Sequence, residues 1–162
     1  MIRASLTSFG LLLLSAQLAC AGPGAKPLPA DVDALLDKAD TIELISLSPE
    51  RLREAAPTDF HGWGVLGRTT IKAGEKAAVL AALRAGIRGN DGMVAGCFNP
   101  RHGILATAGG RTVALVICFE CMSLQVREDG KATVQALTTA APQATFDRVL
   151  KAAGVKVAAK AE

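Results

Sequence analysis

The chain has 162 residues, of which 50% are apolar and 20% are charged, and its formal net charge is +3. This length suits one domain with a substantial core but is too short for two. Basic and acidic residues are interspersed, which excludes the basic stripe typical of nucleic-acid-binding proteins. Aromatic residues make up only 4% and tyrosine is absent, which argues against a surface that stacks bases or sugars.

The N-terminus has the order of segments found in secretory signal peptides. Arg3 supplies a positive charge, residues 9–14 (FGLLLL) form an apolar run, and small residues follow up to Ala21. The run is shorter than the roughly 20 residues that a membrane-spanning helix needs. We therefore predict a signal peptide over residues 1–20 and export from a bacterial cytoplasm.

The end of this signal admits two interpretations. Residues 18–20 (LAC) resemble the end of a bacterial lipobox, in which the cysteine is lipidated, although Gln17 stands where that motif usually has leucine. The alternative is cleavage after Ala21. A Pro- and Gly-rich spacer over residues 21–29 suits a membrane tether. We favour lipidation of Cys20, which would anchor the protein on the periplasmic side of the envelope. Cleavage after Ala21 would leave it soluble in the periplasm or secreted.

Apolar residues recur at helical spacing in three segments after the spacer, around residues 32–36, 79–87 and 142–153. A shorter helix is predicted to start at residues 48–51, with Pro49 in its first turn. Alternation and β-branched residues predict strands. These strands cover residues 41–47, 68–71, 93–98, 103–107 and 111–127.

The order of these elements predicts the fold class. Strands mostly follow one another instead of alternating with helices, which indicates an α+β fold. We expect one domain over residues 30–157. It would contain a mainly antiparallel sheet of about four to six strands, with two or three helices packed on one face.

A hairpin brings distant residues together. Residues 109–110 (GG) predict its turn, because glycine adopts the positive φ angles that tight turns need. This turn places Ala108 opposite Arg111 and, counting outward, His102 opposite Ile117. Reactive and charged side chains then converge at the far end of the hairpin. This candidate binding cluster consists of Cys97, Arg101, His102, Cys118, Glu120 and Cys121.

The segment 111–127 changes the parity of its apolar residues. They occupy odd positions from Val113 to Phe119 and even positions from Met122 to Val126. A regular strand keeps its parity, so the change predicts a bulge near Cys121. The alternative is that both faces of the strand are buried over its first half.

Parity also bears on the disulfide. In a straight strand Cys118 and Cys121 point to opposite faces, with Cα atoms roughly 10 Å apart. A disulfide needs less than about 7 Å. A bond from Cys97 to either of them is easier, and a disulfide is the expected outcome outside the cytoplasm. We therefore predict a disulfide that includes Cys97.

Four interpretations of the cluster remain open. The first is a structural disulfide with one buried free cysteine. The second is a zinc-like metal site, with the ligands Cys97, His102, Cys118 and Cys121. The third is a reactive thiol activated by Arg101 and His102, with Glu120 orienting the histidine. The fourth is ligand binding without chemistry.

Residues 60–63 (FHGW) predict a turn whose aromatic side chains close over the core. Trp63 is expected in that core and His61 in a structural role. The glycines that follow do not form a phosphate-binding loop, because no Lys-Ser or Lys-Thr pair comes after them.

Three stretches resemble those of a group of small exported bacterial proteins described as lipoproteins. They are residues 60–67 (FHGWGVLG), 97–104 (CFNPRHGI) and 115–121 (LVICFEC). The resemblance covers most of the chain after residue 40. It implies export and a shared domain, and it assigns no activity, cofactor, partner or residue role.

These observations favour a non-enzymatic cell-envelope domain that binds a partner or small ligand and is stabilised by a Cys97 disulfide. The partner is not specified beyond the membrane, which the protein would reach through a lipid on Cys20. The alternatives are a periplasmic protein that binds a zinc-like metal and an envelope thiol or redox protein. No other cofactor and no nucleic acid are expected.

Overall fold

A computed structural model describes residues 26–54 and 56–159; the predicted signal peptide and the first part of the spacer lie outside these ranges. The helices are α1 (Ala30–Lys38), α2 (Ala73–Arg88) and α3 (Gln143–Ala152). The strands are β1 (Thr41–Arg51), β2 (Trp63–Thr70), β3 (His102–Ala108), β4 (Arg111–Cys118), β5 (Ser123–Glu128) and β6 (Lys131–Leu137). All six strands form one antiparallel sheet in the order β2-β1-β3-β4-β5-β6. The predicted α+β class is confirmed.

The three helices share one hydrophobic core with one face of the sheet. Each helix buries the apolar stripe that its sequence predicts, for example Leu36 in α1, Leu83 in α2 and Phe146 in α3. From the sheet, Ile104 and Leu115 point into the same core and are completely buried. Burial of such side chains stabilises the fold by about 1.5–3 kcal/mol each. In the described residues no helix is long and apolar enough to cross a membrane.

A second, smaller core covers the other face of the sheet. Phe60 and Trp63 pack there against Ile45 and Val116, so the predicted place of Trp63 in the core is confirmed. Gly103 lies directly under Phe60, and a Cβ atom at this position would lie 2.6 Å from the ring. The central strands are therefore buried on both faces. This confirms the alternative stated above, that both faces are buried over the first half of segment 111–127.

The hairpin of β3 and β4 has the predicted register. Ala108 pairs with Arg111 and His102 pairs with Ile117. Gly109 and Gly110 have φ angles of 55° and 82°, values that glycine adopts without a steric penalty. The far end of this hairpin therefore carries the residues that the sequence placed there.

Segment 111–127 is two strands, so the prediction of one bulged strand is wrong. β4 ends at Cys118, β5 begins at Ser123, and these two residues are paired. Between them the N–H of Met122 donates to the carbonyl of Phe119 at 3.1 Å, and Met122 has a φ of 55°. The change in parity therefore comes from a turn that reverses the chain, which we call the CFEC turn (residues 118–121).

Two further predictions of elements are wrong, and one strand was not predicted. Residues 48–51 do not start a helix, because β1 continues to Arg51. Residues 93–98 form a loop and not a strand. The sequence analysis missed β6, an edge strand whose first residues are exposed and whose apolar pattern is therefore weak.

Candidate functional site

The CFEC turn holds a disulfide between its first and last residues. Cys118 and Cys121 are bonded, and their Cα atoms are 5.1 Å apart. The predicted disulfide from Cys97 is therefore wrong in this structure, since the cysteine at position 97 is free. The physical reason is the turn: it reverses the chain and brings together two residues that a straight strand would hold roughly 10 Å apart.

The third cysteine touches this disulfide from a different segment. The Sγ atom of Cys97 lies 3.4 Å from the Sγ atom of Cys121. Cys97 is exposed, whereas Cys118 and Cys121 are each only 1% exposed. The expectation that the leftover cysteine is buried is wrong. The free cysteine is therefore exposed, whereas the two bonded cysteines are buried.

Backbone groups surround both bonded sulfurs. The N–H of Asn99 donates to Cys121 Sγ at 3.3 Å, and the N–H of Cys121 donates to Cys118 Sγ at 3.1 Å. The carbonyl oxygen of Asn99 lies 3.4 Å from Cys118 Sγ. Each sulfur thus has a polar backbone neighbour that can interact with it if the disulfide opens.

Asn90 organises the loop that carries Cys97. Its side chain is buried, and its Nδ2 atom donates to the carbonyls of Met93 and Thr138, each at 2.8 Å. Its Oδ1 atom accepts from the N–H of Gly92 at 2.7 Å. The N–H of Ala95 also donates to the carbonyl of Cys121 at 3.1 Å, which ties the loop to the turn. This positioning role of Asn90 was not predicted from the sequence.

An ion pair joins Arg101 to the CFEC turn. The guanidinium of Arg101 contacts the carboxylate of Glu120, as expected for two members of the predicted cluster. The Arg101 side chain is 5% exposed and that of Glu120 is 33% exposed. Removing one partner would leave a buried or half-buried charge unpaired, which is costly. The pair therefore holds the turn against the end of β3.

His102 lies on the other face of the sheet from the sulfurs. Its ring packs 5.2 Å from that of Phe119 and 5.8 Å from that of Phe146, measured between centroids. Its Nε2 atom lies 2.7 Å from Asp147 Oδ1. Cys118 has the opposite strand parity from Ile117, the residue that pairs with His102. Asp147 was not predicted, because its helix position carries no signal of a histidine partner.

The expected metal site is not assembled in this structure. In the described residues, no group of three or more His, Cys, Asp or Glu side chains is arranged to hold a metal ion. Two of the four predicted ligands are bonded to each other, and a disulfide sulfur is not a thiolate ligand. His102 faces Asp147 instead.

His61 lies apart from the sulfurs, in a small groove that Thr112 and Arg127 also line. The pKa of His61 is lowered from 6.5, first by burial and then by the positive charge of Arg127, while Asp59 opposes the shift. The pKa of Asp59 is itself lowered, because its carboxylate accepts from the N–H groups of Gly62 and Ala56. These contacts of Asp59 stabilise the turn that carries His61.

No family model, no curated protein and no solved structure matches this chain. The arrangement of the residues themselves is therefore the basis for assigning a function. That arrangement brings together the three cysteines, with the ion pair of Arg101 and Glu120 at the same turn. His102 does not join them and packs against Phe119 instead.

Proposed function

We propose that this domain is a thiol–disulfide exchange protein of the bacterial cell envelope, with the Cys118–Cys121 disulfide as its redox-active group. The observation that carries this proposal is the exposed thiol of Cys97, 3.4 Å from a sulfur of that disulfide. Disulfides exchange when a thiolate attacks one of their sulfurs and the other sulfur leaves. A free sulfur in contact with a disulfide is the arrangement that this chemistry needs.

The backbone around the disulfide supports a leaving thiolate at Cys118. The N–H of Cys121 already donates to Cys118 Sγ. Hydrogen bonds to a charged acceptor are about twice as strong as those between neutral groups, so this contact would strengthen once the sulfur becomes a thiolate. The carbonyl of Asn99 would accept a hydrogen bond from the same sulfur once it is protonated.

The fold can tolerate both redox states of the pair. Cys118 and Cys121 are 3 positions apart, and closing so short a loop contributes only about 2 kcal/mol in the chain-entropy description. Neither Cys118 nor Cys121 belongs to the hydrophobic cores on the two faces of the sheet. Reduction would therefore leave two thiols in one turn of a folded domain, ready to be oxidised again.

The proposal places this chemistry outside the cytoplasm, where disulfides form and persist. In this proposal the predicted signal over residues 1–20 exports the protein, and the predicted lipid on Cys20 anchors it in the envelope. The rival hypothesis is the non-enzymatic binding domain, in which the disulfide would be structural and inert. The two hypotheses differ in the reduction potential of the bond.

The deciding experiment measures that potential. The full chain with Cys20→Ser would be equilibrated in dithiothreitol or glutathione redox buffers, quenched in acid and alkylated, and its thiols counted by mass spectrometry. Exchange proteins have potentials of about −120 to −270 mV, whereas structural disulfides lie below about −300 mV. We expect a value in the first range.

A C118S/C121S variant is the control, because it has no exchangeable pair. A potential below about −300 mV would refute the proposal and favour a structural disulfide. Zinc retained by the reduced protein through native mass spectrometry would instead favour the metal-binding alternative.

A further inference from the structure

We propose that electrons reach the disulfide through Cys97, by an internal shift of the disulfide from Cys118–Cys121 to Cys97–Cys121. The substrate would be a dithiol, which is oxidised as the protein disulfide is reduced. This inference rests on the proposed function and names the route by which that function operates.

Access to the sulfurs is the first argument. Cys118 and Cys121 are each 1% exposed, so a thiol in solution has little access to either sulfur in the folded protein. Exchange requires direct approach of the attacking sulfur, and its rate therefore depends on access. Cys97 is an exposed residue, and its Sγ atom lies 3.4 Å from that of Cys121. It is placed to connect the solvent with the buried bond.

The internal shift is balanced. The Cys97 thiol gives its proton to water, and the resulting thiolate attacks Cys121 Sγ. The Cys97–Cys121 bond forms and the Cys118–Cys121 bond breaks, with its electron pair going to Cys118. That thiolate accepts the hydrogen bond from the Cys121 N–H and is then protonated beside the Asn99 carbonyl. No oxidant or reductant is consumed.

The exchange with the substrate follows at the exposed sulfur. A substrate thiolate attacks Cys97 Sγ, forms a mixed disulfide and releases Cys121 as a thiolate, which takes up a proton. The second substrate thiolate then attacks the substrate sulfur of the mixed disulfide and releases Cys97 as a thiolate, which regains a proton from water. The substrate dithiol has become a disulfide, and two electrons and two protons have reached Cys118 and Cys121.

Positioning of the two sulfurs is the second argument. The hydrogen bond from Ala95 to the Cys121 carbonyl and the Asn90 side chain hold the Cys97 loop against the turn. A nucleophile held in contact with its target reacts as though it were present at a very high concentration. The internal step should therefore outrun any direct attack from solution.

The first test compares reduction rates in the full chain with Cys20→Ser. The disulfide of the otherwise unmodified protein and that of a C97S variant would be reduced with dithiothreitol and quenched in acid at intervals. We expect reduction of C97S to be slower by about 10-fold or more, because it removes the held nucleophile. Equal rates would overturn the relay and leave the proposed function standing. A disulfide that resists reduction in both proteins over the whole range of potentials of exchange proteins would overturn the function itself.

The second test uses a matched pair of variants. C118S keeps Cys97 and Cys121, whose sulfurs are in contact, and C121S keeps Cys97 and Cys118. Both would be reduced, exposed to oxidised glutathione, and mapped by peptide mass spectrometry. The relay requires the Cys97–Cys121 bond to form in C118S at least about 10-fold faster than the Cys97–Cys118 bond forms in C121S. Equal rates, or no internal bond in C118S, would overturn it.

Discussion

Replacing Cys118 by serine removes the native disulfide and leaves Cys97 and Cys121 to form a new one. We expect this new disulfide to contribute more to the stability of the oxidised protein than the native disulfide does. In this variant the remaining pair is Cys97 and Cys121, with their sulfurs 3.4 Å apart. In the chain-entropy description a cross-link stabilises more when it closes a longer loop. It contributes about 2 kcal/mol for the native pair, 3 positions apart, and about 3.5 kcal/mol for the new pair, 24 positions apart.

Thermal unfolding with and without reductant measures this difference. For a domain of this size 1 kcal/mol corresponds to about 3–5 °C in Tm. Reductant should therefore lower the Tm by about 8 °C in the unmodified domain and by about 14 °C in C118S. The C97S/C118S variant has one domain cysteine and should show no such shift. A C118S protein whose Tm falls by less than that of the unmodified domain would refute the reasoning, because the new cross-link would then be strained or absent.

Two further predictions concern the second face of the sheet. Gly103→Ala places a Cβ atom 2.6 Å from the Phe60 ring and should destabilise the domain by about 1–3 kcal/mol. In the control Gly74→Ala the added Cβ atom meets no atom within 4 Å, and the stability should stay within about 1 kcal/mol of that of the unmodified protein. Equal denaturation midpoints for the two variants would contradict the packing. His61 has a lowered pKa in the folded state, so its stabilising contribution is complete above the unfolded value of 6.5 and is lost as the pH falls towards the folded value. The free energy of unfolding should fall less between pH 7.5 and pH 5.5 in His61→Asn than in the unmodified protein, because asparagine tolerates the φ of 57° and does not titrate. Identical losses in the two proteins would show that His61 is not the group concerned.

Local patterns predicted most of the fold, because they report on burial and on turns. The apolar stripe of α3 appears in the sequence and is buried as expected, with Phe146 completely enclosed. The two glycines at 109–110 predicted the turn, and pairing outward from them placed His102 opposite Ile117. The same pairing placed Arg101 and Glu120 in one cluster at this end of the hairpin, where they form an ion pair.

The failures have two physical causes: two local structures can produce the same pattern, and contacts between residues far apart in the chain leave no local signal. A bulge and a tight reversal both change the parity of apolar residues, and only the pairing of Cys118 with Ser123 distinguishes them. Asn90 could not be identified from sequence as the residue that holds the Cys97 loop, because one of its partners, Thr138, is 48 positions away. The same holds for Asp147 and His102, which are 45 positions apart.

The sequence by itself determined the α+β class, the three helical stripes and the register of the hairpin of β3 and β4, because periodicity and turn residues act over short distances along the chain. The contact of Cys97 with the 118–121 segment depended on tertiary structure, since the strand predicted over residues 93–98 is a loop. Only the tertiary structure decided which sulfurs are bonded and which one is exposed. A disulfide depends on the separation of two Cα atoms and on what covers them, and both were set by the reversal of the chain at residues 119–122.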